Sequence, residues 1–138
     1  MPIIQGLVSS FKLESWQAIH DFPTDTLKFA LYTANASLNP TTTTYASANE
    51  VTAAGYTAGG VVLSGVTLTL NNGAACLSFD NPTWAGVNFV CRGALIYNAS
   101  KANRAIAVLD FGADKTASGT FVVPIPANTS STAIIRFQ

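Results

Sequence analysis

Over most of the chain apolar and polar positions alternate with a period of two, the pattern of a half-buried β-strand. Leu27, Phe29 and Leu31 interleave with Lys28, Ala30 and Tyr32 from Thr26 onward, which predicts the first core strand. Residues 61–70 alternate again, and Asn71-Asn72-Gly73 offers a positive-φ turn into a strand over 74–80, a hairpin. A second reversal over 80–86 leads into a strand over 87–98, and if Asp80 sits opposite Val87 then Cys76 lies opposite Cys91. Strands over 105–111, 120–126 and 132–137 follow, separated by Lys101-Ala102-Asn103, by residues 112–119 and by Pro126-Ala127-Asn128. Pro124 and Pro126 place the 120–126 strand at a sheet edge, because proline cannot donate to a ladder on both sides.

Only one segment departs from this period. Ser10 can cap a short helix over 11–19, with Leu13, Trp16 and Gln17 on a common face, Phe11 one turn earlier, and a stop before Pro23. The expected fold is therefore all-β, an antiparallel β-sandwich or jelly roll with one short N-terminal helix, in a single domain spanning 1–138. The absence of an internal repeat excludes propellers and solenoids. Two segments fall outside the strand pattern. Residues 1–9 read as an extended apolar arm, and the Thr/Ser/Asn/Ala segment 35–54, with Pro40 and four consecutive threonines from Thr41, reads as a loop unusually long for a connection inside a domain.

Composition changes this picture in one respect. Apolar residues make up an ordinary 49% of the 138, but charged residues only 10%, against about 25% in a typical soluble domain. With a net charge of zero and pI near 6.5, the surface is hydrated by Ser, Thr and Asn without strong self-repulsion, so association is expected. The seven Lys/Arg residues are scattered from Lys12 to Arg136, which argues against a direct nucleic-acid partner. No uncharged apolar run of about 18 residues occurs, and the start of the chain lacks a basic n-region, so the expectation is a soluble chain with no membrane partner. Two cysteines are too few for a disulfide framework and lack zinc-site spacing, and they read as reduced, buried thiols.

Candidate chemistry is sparse. His20, the single histidine, stands beside Asp21 where an imidazole can meet the last helical carbonyls, and no Gly-x-Ser-x-Gly elbow accompanies it. Asp21/Asp25 and Asp110/Asp114 read as turn-forming aspartates; a calcium site at the second pair would lack the carboxylate density of an EF-hand loop. Gly55-Tyr56-Thr57-Ala58-Gly59-Gly60 has no Walker lysine and feeds a strand, so Gly55, Gly59 and Gly60 are structural, supplying positive φ and close backbone approach. Trp16, Trp84, Tyr32, Tyr45, Tyr56 and Tyr97 read as core and edge aromatics, their spacing giving no linear platform for sugars or bases. No catalytic residue, metal site or cofactor is expected.

Asn49-Glu50-Val51 followed by Gly55-Tyr56-Thr57-Ala58-Gly59-Gly60-Val61 is the most specific piece of the sequence. It is preceded by Ser10-Phe11-Lys12, His20-Asp21-Phe22 and the strand Asp25-Thr26-Leu27-Lys28-Phe29-Ala30-Leu31-Tyr32. Phe79-Asp80 with Trp84, Ala94-Leu95-Ile96-Tyr97-Asn98 and Val108-Leu109-Asp110-Phe111-Gly112 follow in order. This succession resembles a family of small virion structural proteins of tailed bacteriophages, whose members sit variously on heads and tails. The resemblance implies a non-enzymatic component, with no catalytic residues carried over. The expected role is a capsid cement or decoration protein, assembled in the host bacterial cytoplasm. It would bind the capsid exterior as a homo-oligomer and bridge subunits of the major capsid protein. Pro2, Ile3, Ile4, Leu7 and Val8 of the arm, with Thr43 and Tyr45 of the loop, are the expected interface, and Tyr56 and Trp84 are structural. The alternatives are a tail or head-tail connector component, the receptor- or glycan-binding module of a fibre, and a small cell-wall hydrolase, which the single histidine supports poorly.

Overall fold

The computed structural model describes residues 3–137. In chain order the elements are β1 (Gly6–Leu7), α1 (Ser9–Trp16), β2 (Leu27–Tyr32), β3 (Val61–Val62), β4 (Thr67–Asn71), β5 (Ala74–Ser78), β6 (Thr83–Asn98), β7 (Arg104–Val122) and β8 (Ile135–Phe137). They form two sheets, a five-stranded one in the order β1-β7-β6-β2-β3 and a three-stranded one in the order β4-β5-β8, with every strand pair antiparallel. The fold is all-β and sandwich-like, with a single short helix, as the alternation predicts.

The long β6–β7 hairpin is the spine. Its closed end, Gly93–Asn98 against Arg104–Asp110, is almost wholly buried, whereas the open end shows the alternation of a one-faced sheet: Trp84, Val87, Phe89 and Cys91 inward, Ala85, Asn88 and Val90 outward. β2 lies against the closed end and is buried on both faces. Phe29 meets Phe79 and Trp84 on one side, and on the other Tyr32 is covered by the 35–54 loop, to whose Ala46 carbonyl it donates at 2.7 Å.

The structure corrects several expectations. Residues 61–70 are not one strand: Gly65, at φ 65° and facing the Asp80 carboxylate, breaks the run, so β3 joins the large sheet and β4 the small one. The β4–β5 hairpin forms as expected, its turn at Asn72 (φ 48°) and Gly73 (φ 84°). The second reversal does not return to β5. Residues 79–82 cross from the small sheet to the large one, so Cys76 pairs with Thr69 and Arg136 while Cys91 pairs with Lys115. Both cysteines are free and buried.

Residues 112–119 do not divide two strands either. β7 runs through them with a wide bulge at 111–114, where Gly112 takes φ 80° and donates to Asp110 Oδ1 at 2.9 Å while Arg92 Nε donates to the same oxygen at 3.0 Å. These two donors hold the Asp110 carboxyl below the usual carboxylate range. Pro124 and Pro126 follow the end of β7 and belong to no strand. The last predicted strand shrinks to β8.

The helix is shorter than expected and presents a different face. It starts at Ser9 after Val8, so no side chain caps it, and it buries Phe11 and Glu14. Leu13 and Trp16 are 60% and 90% exposed. Glu14 is drawn inward because Arg104 and His20 wait there to satisfy it.

Gly60 is the point where the loop re-enters the sheet, and it cannot be another residue. Its φ is 82°, and a Cβ there would collide with the Phe29 carbonyl oxygen. Gly73 has a similar φ of 84° but nothing within 4 Å. Gly60→Ala is therefore expected to cost about 3 kcal/mol or more, combining backbone strain with displacement of β2, and Gly73→Ala only about 1 kcal/mol. Urea unfolding of the two variants checks this; equal losses would contradict it.

Candidate functional site

Two buried polar networks and one apolar surface are the features with the chemical character of sites. The first network centres on Glu50, which is 5% exposed. Asn49, at φ 61°, turns the chain so that Glu50 bridges Tyr32 at the edge of β2 while Val51 N donates to the Leu31 carbonyl at 3.0 Å. Its carboxylate accepts from Tyr45 Oη at 2.6 Å on one oxygen, and from Tyr56 Oη at 2.6 Å and Gly59 N at 2.8 Å on the other. Tyr56 Oη in turn accepts from Leu31 N at 2.9 Å, and Tyr97 Oη donates to the Gly59 carbonyl at 2.7 Å. Tyr45 stacks on Tyr97 with ring centroids 4.7 Å apart. The Asn49-Glu50-Val51 and Gly55–Gly60 motifs are thus one device that clamps the long loop onto β2 and β6.

This clamp controls the protonation of all four tyrosines. Burial first, and then the Glu50 charge, push Tyr97 up to about 12 and Tyr32, Tyr45 and Tyr56 higher still. Buried carboxylates that accept three donors are stable structural anchors, and each donor here would be costly to leave unpaired.

The second network runs along the closed end of the spine. Arg104 Nη1 donates to Glu14 Oε2 at 3.0 Å, and His20 Nε2 meets Glu14 Oε1 at 2.9 Å. Asn98 Nδ2 stands 3.0 Å from His20 Nδ1 and 2.7 Å from Asp25 Oδ2. Since an amide nitrogen only donates, Nδ1 is the acceptor and Nε2 carries the proton to Glu14. Lys101 Nζ closes the chain on Asp25 at 2.8 Å. Burial would raise the Asp25 carboxyl, but the hydrogen bonds from Lys101, Asn98 and the Asp21 N–H, with the Lys101 charge, take it below its ordinary value. His20 does not cap helical carbonyls as expected. Both of its ring nitrogens are occupied by this network, neither bonds a hydroxyl or thiol, and its side chain is 2% exposed. It ties the helix to the sheet.

Among the described residues no group of three or more His, Cys, Asp or Glu side chains is arranged to hold a metal ion. Among the same residues no helix is long and apolar enough to cross a membrane.

The third feature lies where the small sheet meets α1. Strand register places Leu68, Leu70, Ala75, Leu77, Ile135 and Phe137 on one face of that sheet. Leu77 and Ile135 join the main core, but Leu70 is 75% exposed and Phe137 43%. Phe137 lies 5.9 Å from the Phe11 ring and shares a cleft with Leu7, Lys12, Leu13 and Trp16. The outcome is an apolar surface that runs from the small sheet past Phe137 to α1. The sequence does not reveal it, because a common face of Leu13 and Trp16 does not say whether the fold covers that face, and alternation in β4 does not say how much of a face its neighbours cover.

Of the expected interface residues, Pro2 lies outside the described residues. Ile3 and Val8 are buried in the chain's own core, and Leu7 is half-buried in β1, which pairs with β7. Ile4 is 50% exposed, Thr43 is exposed, and Tyr45 is half-buried in the Glu50 clamp. Residues 3–9 run beside residues 38–40, to whose carbonyls Ile4 N and Ser9 N each donate at 2.8 Å. Gly55, Gly59, Gly60, Tyr56 and Trp84 occupy structural positions: the glycines all have positive φ, and Trp84 is buried near Phe29, Tyr56 and Phe121. No protein-family model, curated protein or solved structure matches the chain.

Two measurements test the clamp. Every tyrosine is raised above its unfolded value of about 10, so its contribution to stability is complete below that pH and is lost as pH climbs toward the folded values. Phenolate absorbance is accordingly expected to stay flat through pH 10 and to rise only with cooperative unfolding; gradual titration of any tyrosine at pH 10 would contradict it. Glu50→Ala, which strands two hydroxyls and an amide, is expected to lower stability by about 3–5 kcal/mol in chemical denaturation.

Proposed function

We propose that this chain is a non-catalytic structural protein of a tailed-bacteriophage virion. In this reading it is a cement protein that binds the capsid exterior in many copies and bridges neighbouring major capsid subunits. The observation that carries the reading is the apolar surface of Leu13, Trp16, Leu70 and Phe137 on a tightly clamped sandwich of zero net charge. Exposure of large apolar side chains in a continuous patch marks an interaction surface, and each such side chain is worth about 1.5–3 kcal/mol when a partner covers it. The ordered resemblance of the sequence to phage virion proteins supplies the kind of partner. Two buried free thiols accord with assembly in a bacterial cytoplasm.

The mechanism is linkage. A protein that binds only the assembled shell stabilises that shell by mass action, and small interfaces repeated over many copies add up. Further copies of the chain and the major capsid protein are the partners; no nucleic acid, membrane or cofactor takes part.

Protein stoichiometry of purified virions, together with the rupture temperature of particles lacking the protein, tests this. Hundreds of copies per particle and rupture at lower temperature without it are expected. A count of about a dozen or fewer, the scale of one ring on a symmetry axis, with shells of unchanged strength, would end the cement reading in favour of a connector or fibre.

A further inference from the structure

β8 closes the small sheet, and among the described residues its second edge pairs with no strand. A groove runs along that edge. It is lined by the consecutive run Ile134, Ile135 and Arg136, by Gln5, Leu7 and Phe111 from the large sheet and its lead-in, and by the 123–126 segment that follows β7. It holds about 590 Å³ and continues past Leu7 and Phe137 into the cleft under Leu13 and Trp16, which holds about 510 Å³. Unpaired backbone edges beside apolar pockets are what an added strand requires: the ladder supplies affinity and the pockets receive alternate side chains.

Charge narrows the occupant. Arg92, Lys101 and Arg104 are committed to carboxylates within the fold. Lys12, Lys115 and Arg136 are exposed and, among the described residues, form no ion pair and are the only charged residues lining the groove and its continuation. Among the described residues no carboxylate lines either part. We infer that this groove receives an extended segment of the capsid subunit, about five or six residues long, bearing apolar side chains and carboxylates, which adds to β8 as a further strand. The inference rests on the cement reading for the identity of the partner. A lipid surface would satisfy the cations and the apolar pockets but would leave the β8 edge unpaired, which is why a peptide strand is the better fit.

The test uses the full chain and shells assembled without it. Trp16 is the reporter, since it is 90% exposed in the cleft while Trp84 is already buried. On binding of the wild-type protein, Trp16 emission is expected to move to shorter wavelength and amide exchange across 135–137 to slow. Lys115→Glu with Arg136→Glu is expected to weaken shell binding at least tenfold with unchanged thermal unfolding, and the Lys115→Gln, Arg136→Gln pair to weaken it less. Wild-type affinity is expected to fall as salt is raised. Wild-type binding that neither pair of substitutions weakens, with unchanged exchange at β8, would overturn the groove while leaving the cement reading intact. Failure of the wild-type protein to bind shells would overturn both. The same Trp16 shift with phosphatidylglycerol vesicles but not with shells would replace the strand by a lipid surface, and a concentration-dependent dimer abolished by the substitutions would replace it by a second copy.

Discussion

The Glu50 carboxylate is the constraint on which most of this structure depends. A chain with seven acidic and seven basic residues has little charge to place, yet it buries one carboxylate beside β2 and surrounds it with two phenols and a backbone N–H. A buried charge is tolerable only when such donors meet it, and once they do they become inseparable from it. Tyr45, Tyr56 and Gly59 come from the two ends of a long polar stretch, so a single side chain fixes residues 45–59 against the sheet. Without that closure the Tyr32 face of β2 would lie open, and the backbone of the loop would have no rigid frame to run along.

Three further carboxylates are used in a similar way. Glu14, Asp25 and Asp110 each recruit a cation to pin a turn, a helix or a bulge. The exposed large apolar side chains include Leu13, Trp16, Leu70 and Phe137, which gather where the small sheet meets α1. The small sheet has three strands, and among the described residues its apolar face is left partly uncovered at Leu68, Leu70 and Phe137, the surface on which the proposed interaction rests.

Much of the fold was legible from alternation, turn chemistry and glycine placement. The Asn71-Asn72-Gly73 hairpin formed where positive φ was expected, and Gly55, Gly59 and Gly60 take the positive φ that the re-entry into the sheet requires. Failures arose where tertiary contacts outweighed local signals. Gly112 and Gly119 read as loop residues but became parts of one long bulged strand, because Asp110 and Arg92 stabilise the bulge and the hairpin partner continues beyond it. Period two cannot distinguish a chain that turns back from one that crosses to another sheet, so the pairing of Cys76 with Cys91 was lost at 79–82. In the helix, hydrophobicity favoured burying Leu13 and Trp16, but Glu14 had partners waiting inside. Those partners, His20 and Arg104, stand 6 and 90 residues away, a distance at which sequence pattern carries no pairing information.

A particle reconstruction at side-chain resolution tests the central claim most directly. The account predicts sandwich-shaped density on the outer face of the shell, repeated across the seams between major capsid subunits, with α1 and β8 turned toward the lattice and Trp16 covered. Density confined to the tail or its vertex, or copies on the shell with Trp16 and Phe137 facing solvent, would contradict it.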